Sequence, residues 1–176
     1  MSFSTLLQNI ADAEQGPKTC AVFDFDGTII SGYSATAFLK DQITRGEISP
    51  ADLLQLTQAA TRFGIGSLGF SALMAVHAQY RAGRSEADYV ANSERLFRRA
   101  IAKLIYPEAR QLIEAHRAAG HSIAIISSAT PYQVLPAAKD LGIKHVYATD
   151  LEVEDGQFTG GVAQPTCFGI GKVHAC

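Results

Sequence analysis

The chain has little cysteine, no apolar run suited to lipid and almost no net charge, and each shortage removes a class of protein. Its three cysteines, Cys20, Cys167 and Cys176, form no CxxC pair and cannot all be bridged within one molecule. Free thiols in a reducing compartment, the cytoplasm, are therefore the expectation. The amino terminus lacks a basic stretch followed by an apolar one, so no signal peptide is expected. Residues 63–80 are uncharged over about the length of a membrane span. They include Gly64, Gly66, Ser67, Gly69, Ser71, His77 and Gln79, which is too polar for lipid and suits a buried or partner-facing helix. Lysine plus arginine number 15 against 17 acidic residues, a net charge of −2, which gives no support to nucleic-acid binding as the main task.

What the sequence does have is a globular composition. Its 176 residues are 47% hydrophobic and 18% charged, enough to bury a core without disulfide or metal staples. The length suits one domain, or one domain with a sizeable insertion.

Residues 1–18 read as a leader with one or two helical turns around Leu6, Leu7 and Ile10. Cys20-Ala21-Val22-Phe23 is a continuous apolar run, expected to be a central strand covered on both faces. From Ser34 to Ile105 the signals are helical. Ser49-Pro50-Ala51-Asp52 supplies a hydroxyl cap, an early proline and an acid three positions on, and Ser85-Glu86-Ala87-Asp88 repeats the scheme without the proline. Breaks near Gly46, Gly64–Gly66 and Gly83 divide the segment into four helices, a small bundle in which Arg95, Arg98 and Arg99 fall on the wetter side.

After Tyr106 the rhythm changes. Pro107 opens a helix that Gly120 closes, and Ser122–Ser127 forms a second buried strand. Thr130-Pro131-Tyr132-Gln133 is a capping box that starts a helix ended by Gly142, and His145–Ala148 is a third strand. Asp155-Gly156 joins two short strands in a hairpin with a primed turn. Alternating strands and helices imply an α/β fold, a Rossmann-like parallel sheet interrupted by an all-helical insertion. The expected boundaries are a leader over 1–18, a core from 19–33 and 106–176, and the insertion over 34–105.

Asp24 and Asp26 follow the first strand two residues apart, so extended backbone would point both to one face. Open parallel sheets bind ligands beyond these strand ends. Two buried carboxylates resist joint ionisation unless a cation joins them, and an oxygen-seeking Mg²⁺ would also draw in a phosphate. Asp-x-Asp-Gly also occurs in solvated turns and calcium loops. The five histidines show no metal-ligand spacing. Gly64-Ile65-Gly66-Ser67-Leu68-Gly69 has the letters of a dinucleotide fingerprint but follows helical sequence, not a strand.

Asp24-Phe25-Asp26-Gly27-Thr28 resembles the first motif of the haloacid dehalogenase-like superfamily, whose members are mostly phosphatases. Ser127, closing Ile123-Ala124-Ile125-Ile126, resembles the second motif, and Gly171-Lys172 the third. The helical insertion is similar to the cap of the phosphoserine-phosphatase-like subclass. The resemblance covers residues 20–175. It implies Asp24 as a nucleophile that becomes an aspartyl-phosphate, Asp26 as general acid and then base, and Ser127 as a donor to a phosphoryl oxygen. Lys172 would balance charge around Asp24, and Gly27, Thr28 and Ser128 would contact the phosphate. Mg²⁺ would be held by Asp24 and Asp26, the latter through its carbonyl. The expected activity is hydrolysis of a small phosphorylated metabolite.

The sequence departs from the family pattern in two places. A fourth motif, an acid-bearing strand end that completes the metal site, is expected after the third, and no acid follows Asp155. The residues are thus expected to be the amino-terminal part of a longer or truncated polypeptide. The alternative function is a non-catalytic regulatory or partner-binding domain, since similar domains are sometimes followed by a glycerophosphate acyltransferase. Second, phosphoserine phosphatases usually carry serine where Gly27 stands, and an acid where Ser31-Gly32-Tyr33-Ser34 stands. This weakens phosphoserine as the substrate.

Overall fold

In the computed structural model, which describes residues 2–66 and 68–174, the chain opens with helix α1, Phe3–Asp12. Ser2 caps it by accepting from the Thr5 N–H at 3.1 Å. The helix is longer than the one or two turns expected, because this cap and its apolar face towards α6 (Pro107–Ala118) extend it.

Strands β1 (Cys20–Phe23), β2 (Ser122–Ile126) and β3 (His145–Tyr147) form a parallel sheet in the order β1-β2-β3. Phe23 pairs with Ile125, which in turn pairs with Val146. The sheet therefore ends its strands together, at Phe23, Ile126 and Tyr147. One expectation is overturned. β1 is an edge strand whose sole sheet partner among the described residues is β2, and its face carrying Cys20 and Val22 is open, with Val22 55% exposed. An unbroken apolar run cannot distinguish the centre of a sheet from its edge.

Helices α2 (Ser34–Thr44), α3 (Pro50–Gly64), α4 (Phe70–Gln79) and α5 (Glu86–Leu96) lie between β1 and β2 in sequence. The caps of α3 and α5 are those expected: Ser49 accepts from Asp52 N–H at 3.1 Å, and Ser85 from Asp88 N–H at 3.2 Å. α5 does not continue as a plain α-helix. It passes into a π-turn over Phe97–Ile101 and a 3₁₀ turn over Ala102–Leu104, which swings the chain into α6. The uncharged stretch 63–80 is the end of α3, a connection and α4. No helix among the described residues is long and apolar enough to cross a membrane.

α7 (Pro131–Asp140) follows β2 and lies beside α6, joined by Arg110 to Asp140 at 2.7 Å. Together they bury Ile113, Val134, Ala137 and Ala138 against Ile125 and the insertion's Phe38, Leu96, Phe97 and Ile101. β4 (Leu151–Glu154) and β5 (Gln157–Val162) make the expected hairpin. Its turn residues Asp155 and Gly156 have φ of 49° and 74°, the positive pair that a type I′ turn requires. The hairpin packs on α4 in a second cluster with Met74, Ala78, Tyr132 and Phe158. Beside it Arg81 is buried with no carboxylate partner among the described residues: its guanidinium donates to His77 O at 2.7 Å, at the carboxyl end of α4, and to Tyr89 Oη at 2.8 Å, and lies over the Tyr89 ring. A helix carboxyl terminus and a ring face together stabilise the charge.

The arginines on the wetter side do more than face water. Arg99 and Arg45 donate to the buried carboxylate of Asp41 at 2.7 and 2.8 Å, Arg95 approaches it at 3.6 Å, and Asn92 donates at 3.3 Å. This ties α2 to α5 and the π-turn. Cys20 is exposed and Cys167 buried, and Cys176 lies outside the described residues.

Candidate active site

The parallel ends of β1 and β2 place Asp24 and Ser127 one residue or so past neighbouring strands. Beyond Phe23 the backbone turns. Phe25 O accepts from Ile29 N–H at 2.9 Å and from Ile30 N–H at 3.1 Å, burying Ile29 and Ile30 completely beneath the loop. Gly27, at φ 74°, makes this turn possible and donates its N–H to Gly32 O at 2.9 Å.

Because strand geometry stops at Phe23, the two carboxylates take different partners. Asp24 is half-exposed, and its Oδ1 accepts from Lys172 Nζ at 3.1 Å. Asp26 is held by Ser34, the first residue of α2. Its Oδ1 accepts the Ser34 N–H at 2.7 Å and its Oδ2 the Ser34 hydroxyl at 3.1 Å. Burial pushes the Asp26 carboxyl above the usual range. The two Ser34 bonds pull it down, and the negative charge of Asp24 pushes it up again.

Lys172 reaches Asp24 from α8 (Gly171–His174). The start of this short helix presses against the backbone at Thr166, so that a β-carbon at Gly171 would sit 1.9 Å from Thr166 O. Only glycine fits there. The 164–168 segment is in turn fixed to the start of α4 by Ser71 Oγ and Thr166 Oγ1 at 3.0 Å and by the stacking of Phe70 on Phe168 at 4.3 Å.

Ser127 is buried. Its N–H donates to Tyr147 O at 2.9 Å, and its Oγ accepts the Ala129 N–H at 3.1 Å, so the hydroxyl also braces its own turn. Ser128 is half-buried, and Gly27 and Thr28 are exposed on the loop after Asp26. Sequence reasoning missed Ser34 as a partner of Asp26, and Gln133 behind it, whose Nε2 donates to Ser34 Oγ at 3.0 Å. The capping box that names Gln133 was the available signal.

The donor chemistry fits Mg²⁺. Asp24 offers a hard, half-exposed carboxylate beside a second acid. Among the described residues no three of His, Cys, Asp and Glu gather into one cluster.

Residues 21–176 match the haloacid dehalogenase-like hydrolase family. The chain belongs to that family. It is 32% identical over 161 residues to a probable phosphatase of Mycobacterium tuberculosis, a match that covers 90% of this chain and 56% of that protein. It is also 32% identical over 160 residues to a phosphoserine phosphatase of the same organism, covering 88% and 52%. The chain thus spans about half the length of these curated relatives. Among solved structures, a Bordetella pertussis protein of unknown function superposes with a TM-score of 0.80 at 24% identity, over 89% of this chain and 71% of that one. A phospho-aspartyl intermediate analogue of phosphoserine phosphatase superposes with a TM-score of 0.57 at 19% identity, over 83% and 63%. These two likenesses bear on the fold, and they agree with the α/β architecture described above.

Proposed function

We propose that this member of the haloacid dehalogenase-like family is a Mg²⁺-dependent phosphatase of small phosphomonoesters, working through Asp24 in the cytoplasm. One observation carries the reading. Lys172 stands on Asp24 while Ser34 holds Asp26 alongside, all at the carboxyl end of a parallel sheet. The phosphatase names of the relatives support it.

In this reading residues 19–33 and 106–176 form the catalytic body, residues 34–105 cap it, and residues 1–18 lead into it. Asp24 attacks phosphorus: a bond forms from its carboxylate oxygen and the bond to the leaving oxygen breaks. Asp26, kept protonated more readily by its burial, gives its proton to that oxygen. It then takes a proton from the water that splits the aspartyl-phosphate, returning Asp24 and releasing phosphate. Lys172 offsets the anionic charge on Asp24 and the phosphoryl group, and Ser127, Ser128, Gly27 and Thr28 supply donors to its oxygens. The Asp24 carboxylate and the Asp26 carbonyl would hold Mg²⁺, which when bound draws the phosphate in and neutralises its charge.

The test is Mg²⁺-dependent release of phosphate from an aryl phosphate by the full-length protein. Activity should vanish with a chelator, return with Mg²⁺, and be lost in Asp24→Asn with the fold retained. Full activity in Asp24→Asn would refute the reading.

A further inference from the structure

A chain of buried hydrogen bonds runs from Asp26 across the insertion to the helix after β2. Ser34 lies 8 residues beyond Asp26 and 99 before Gln133, yet its hydroxyl touches both. Ser34, Gln133 and Thr130 are all buried, with Ser34 at 0% exposure.

Each link fixes the orientation of the next. Gln133 Oε1 accepts the Thr130 N–H at 2.8 Å and the Thr130 hydroxyl at 2.9 Å. With its oxygen engaged by two donors, the amide must turn Nε2 towards Ser34, to which it donates at 3.0 Å. A hydroxyl that accepts from Gln133 on one side directs its own proton to the other, where Asp26 Oδ2 lies. The Ser34 N–H holds Oδ1. Asp26 is thereby gripped at both oxygens and its carboxylate plane is set.

We propose that Ser34 and Gln133 are positioning residues for Asp26, a relay that aims its carboxyl at the leaving oxygen and couples that aim to the seating of α2 against α7. The inference rests on the reading of Asp26 as the acid of phosphoryl transfer. Ser34 is the first residue of the insertion's first helix, and Gln133 belongs to the first turn of α7. Any displacement of α2 from α7 breaks the relay before it reaches Asp26. The catalytic acid is therefore correctly placed only while the insertion is docked.

Leaving-group chemistry separates this role from a merely structural one. An alkyl phosphate needs its leaving oxygen protonated, whereas 2,4-dinitrophenyl phosphate leaves unaided. kcat/KM reports the steps up to phosphoryl transfer onto Asp24. Two variants test the relay in the full-length protein with Mg²⁺. Ser34→Ala removes the hydroxyl but keeps the backbone donor. Gln133→Glu keeps the capping box, since a carboxylate accepts equally well from Thr130, but withdraws the N–H donor and competes with Asp26 for the Ser34 proton.

In both variants kcat/KM for the alkyl phosphate should fall about 10- to 100-fold, a part of what a general acid supplies. That for the dinitrophenyl ester should stay within about threefold. Asp26→Asn should show the same selectivity more strongly. Equal losses on both substrates, or none on either, in Ser34→Ala and Gln133→Glu would overturn the relay. If Asp26→Asn discriminates while those two do not, the relay fails and the role of Asp26 stands. If Asp26→Asn does not discriminate, the reading of Asp26 falls and the relay with it.

Discussion

Lys172 and Asp24 are 148 residues apart in sequence and 3.1 Å apart in space, the ammonium donating to Oδ1. The contact joins the start of α8 to the end of β1. Lys172→Met should lower kcat/KM by about 10²- to 10³-fold, the scale of removing one charge-stabilising donor. Because the pair is partly exposed, the melting free energy should move by less than about 1 kcal/mol. Steady-state kinetics and thermal melts of the same sample check both.

Gly171 sets the position of that lysine without touching Asp24. Its α-carbon faces Thr166 O so closely that alanine must push α8 away. Gly171→Ala should cost about 1–3 kcal/mol of overpacking and lower activity as Lys172 is displaced. Gly27→Ala makes an instructive comparison: there a β-carbon meets nothing within 4 Å, and the strain comes from φ at 74°.

Asp41 is the buried anion of the insertion. Asp41→Ala would leave Arg45, Arg95 and Arg99 facing one another. The expected loss is about 3 kcal/mol, the low end for breaking a buried pair, because the arginine ends can turn to water. In a protein of this size that shifts the melting midpoint by about 6–12 °C. Arg95→Ala, which removes the longest of the three contacts, should shift it far less.

The half-buried His77 imidazole is held down to about 3, first by burial and then by the neighbouring Arg81 charge. The unfolded histidine, at 6.5, binds more protons than the folded one between these values. Stability is thus fully present above pH 6.5 and is lost as pH falls towards 3. Urea unfolding at stepped pH should show this slope, and His77→Gln should flatten it.

Much of this was legible locally. The capping residues of α3, α5 and α7, the primed turn at Asp155-Gly156 and the apolar runs of β2 and β3 are local signals, and the structure follows them. Asp24 and Asp26 stood out through their place after a strand, and Ser127 and Lys172 through their resemblance to the second and third family motifs. The open edge of β1 follows from the missing fourth-motif strand expected beside it, but the exposure of Val22 and Cys20 was not legible, because both read as core letters. Nor was the service of Arg95 and Arg99 to Asp41, since helical periodicity gives the side of a helix and not what crosses to meet it.

The sequence by itself determined the elements, their order and the chemical types at their ends, because caps, turns and periodicity act over a few residues. Tertiary structure decided which of two nearby aspartates takes an ammonium and which takes a serine. It also decided that a glutamine 99 residues beyond that serine turns its hydroxyl. Those choices depend on where strand geometry ends, at Phe23, and on how closely α2, α7 and α8 approach one another. They are fixed by packing over long loops, and no short window of residues encodes them.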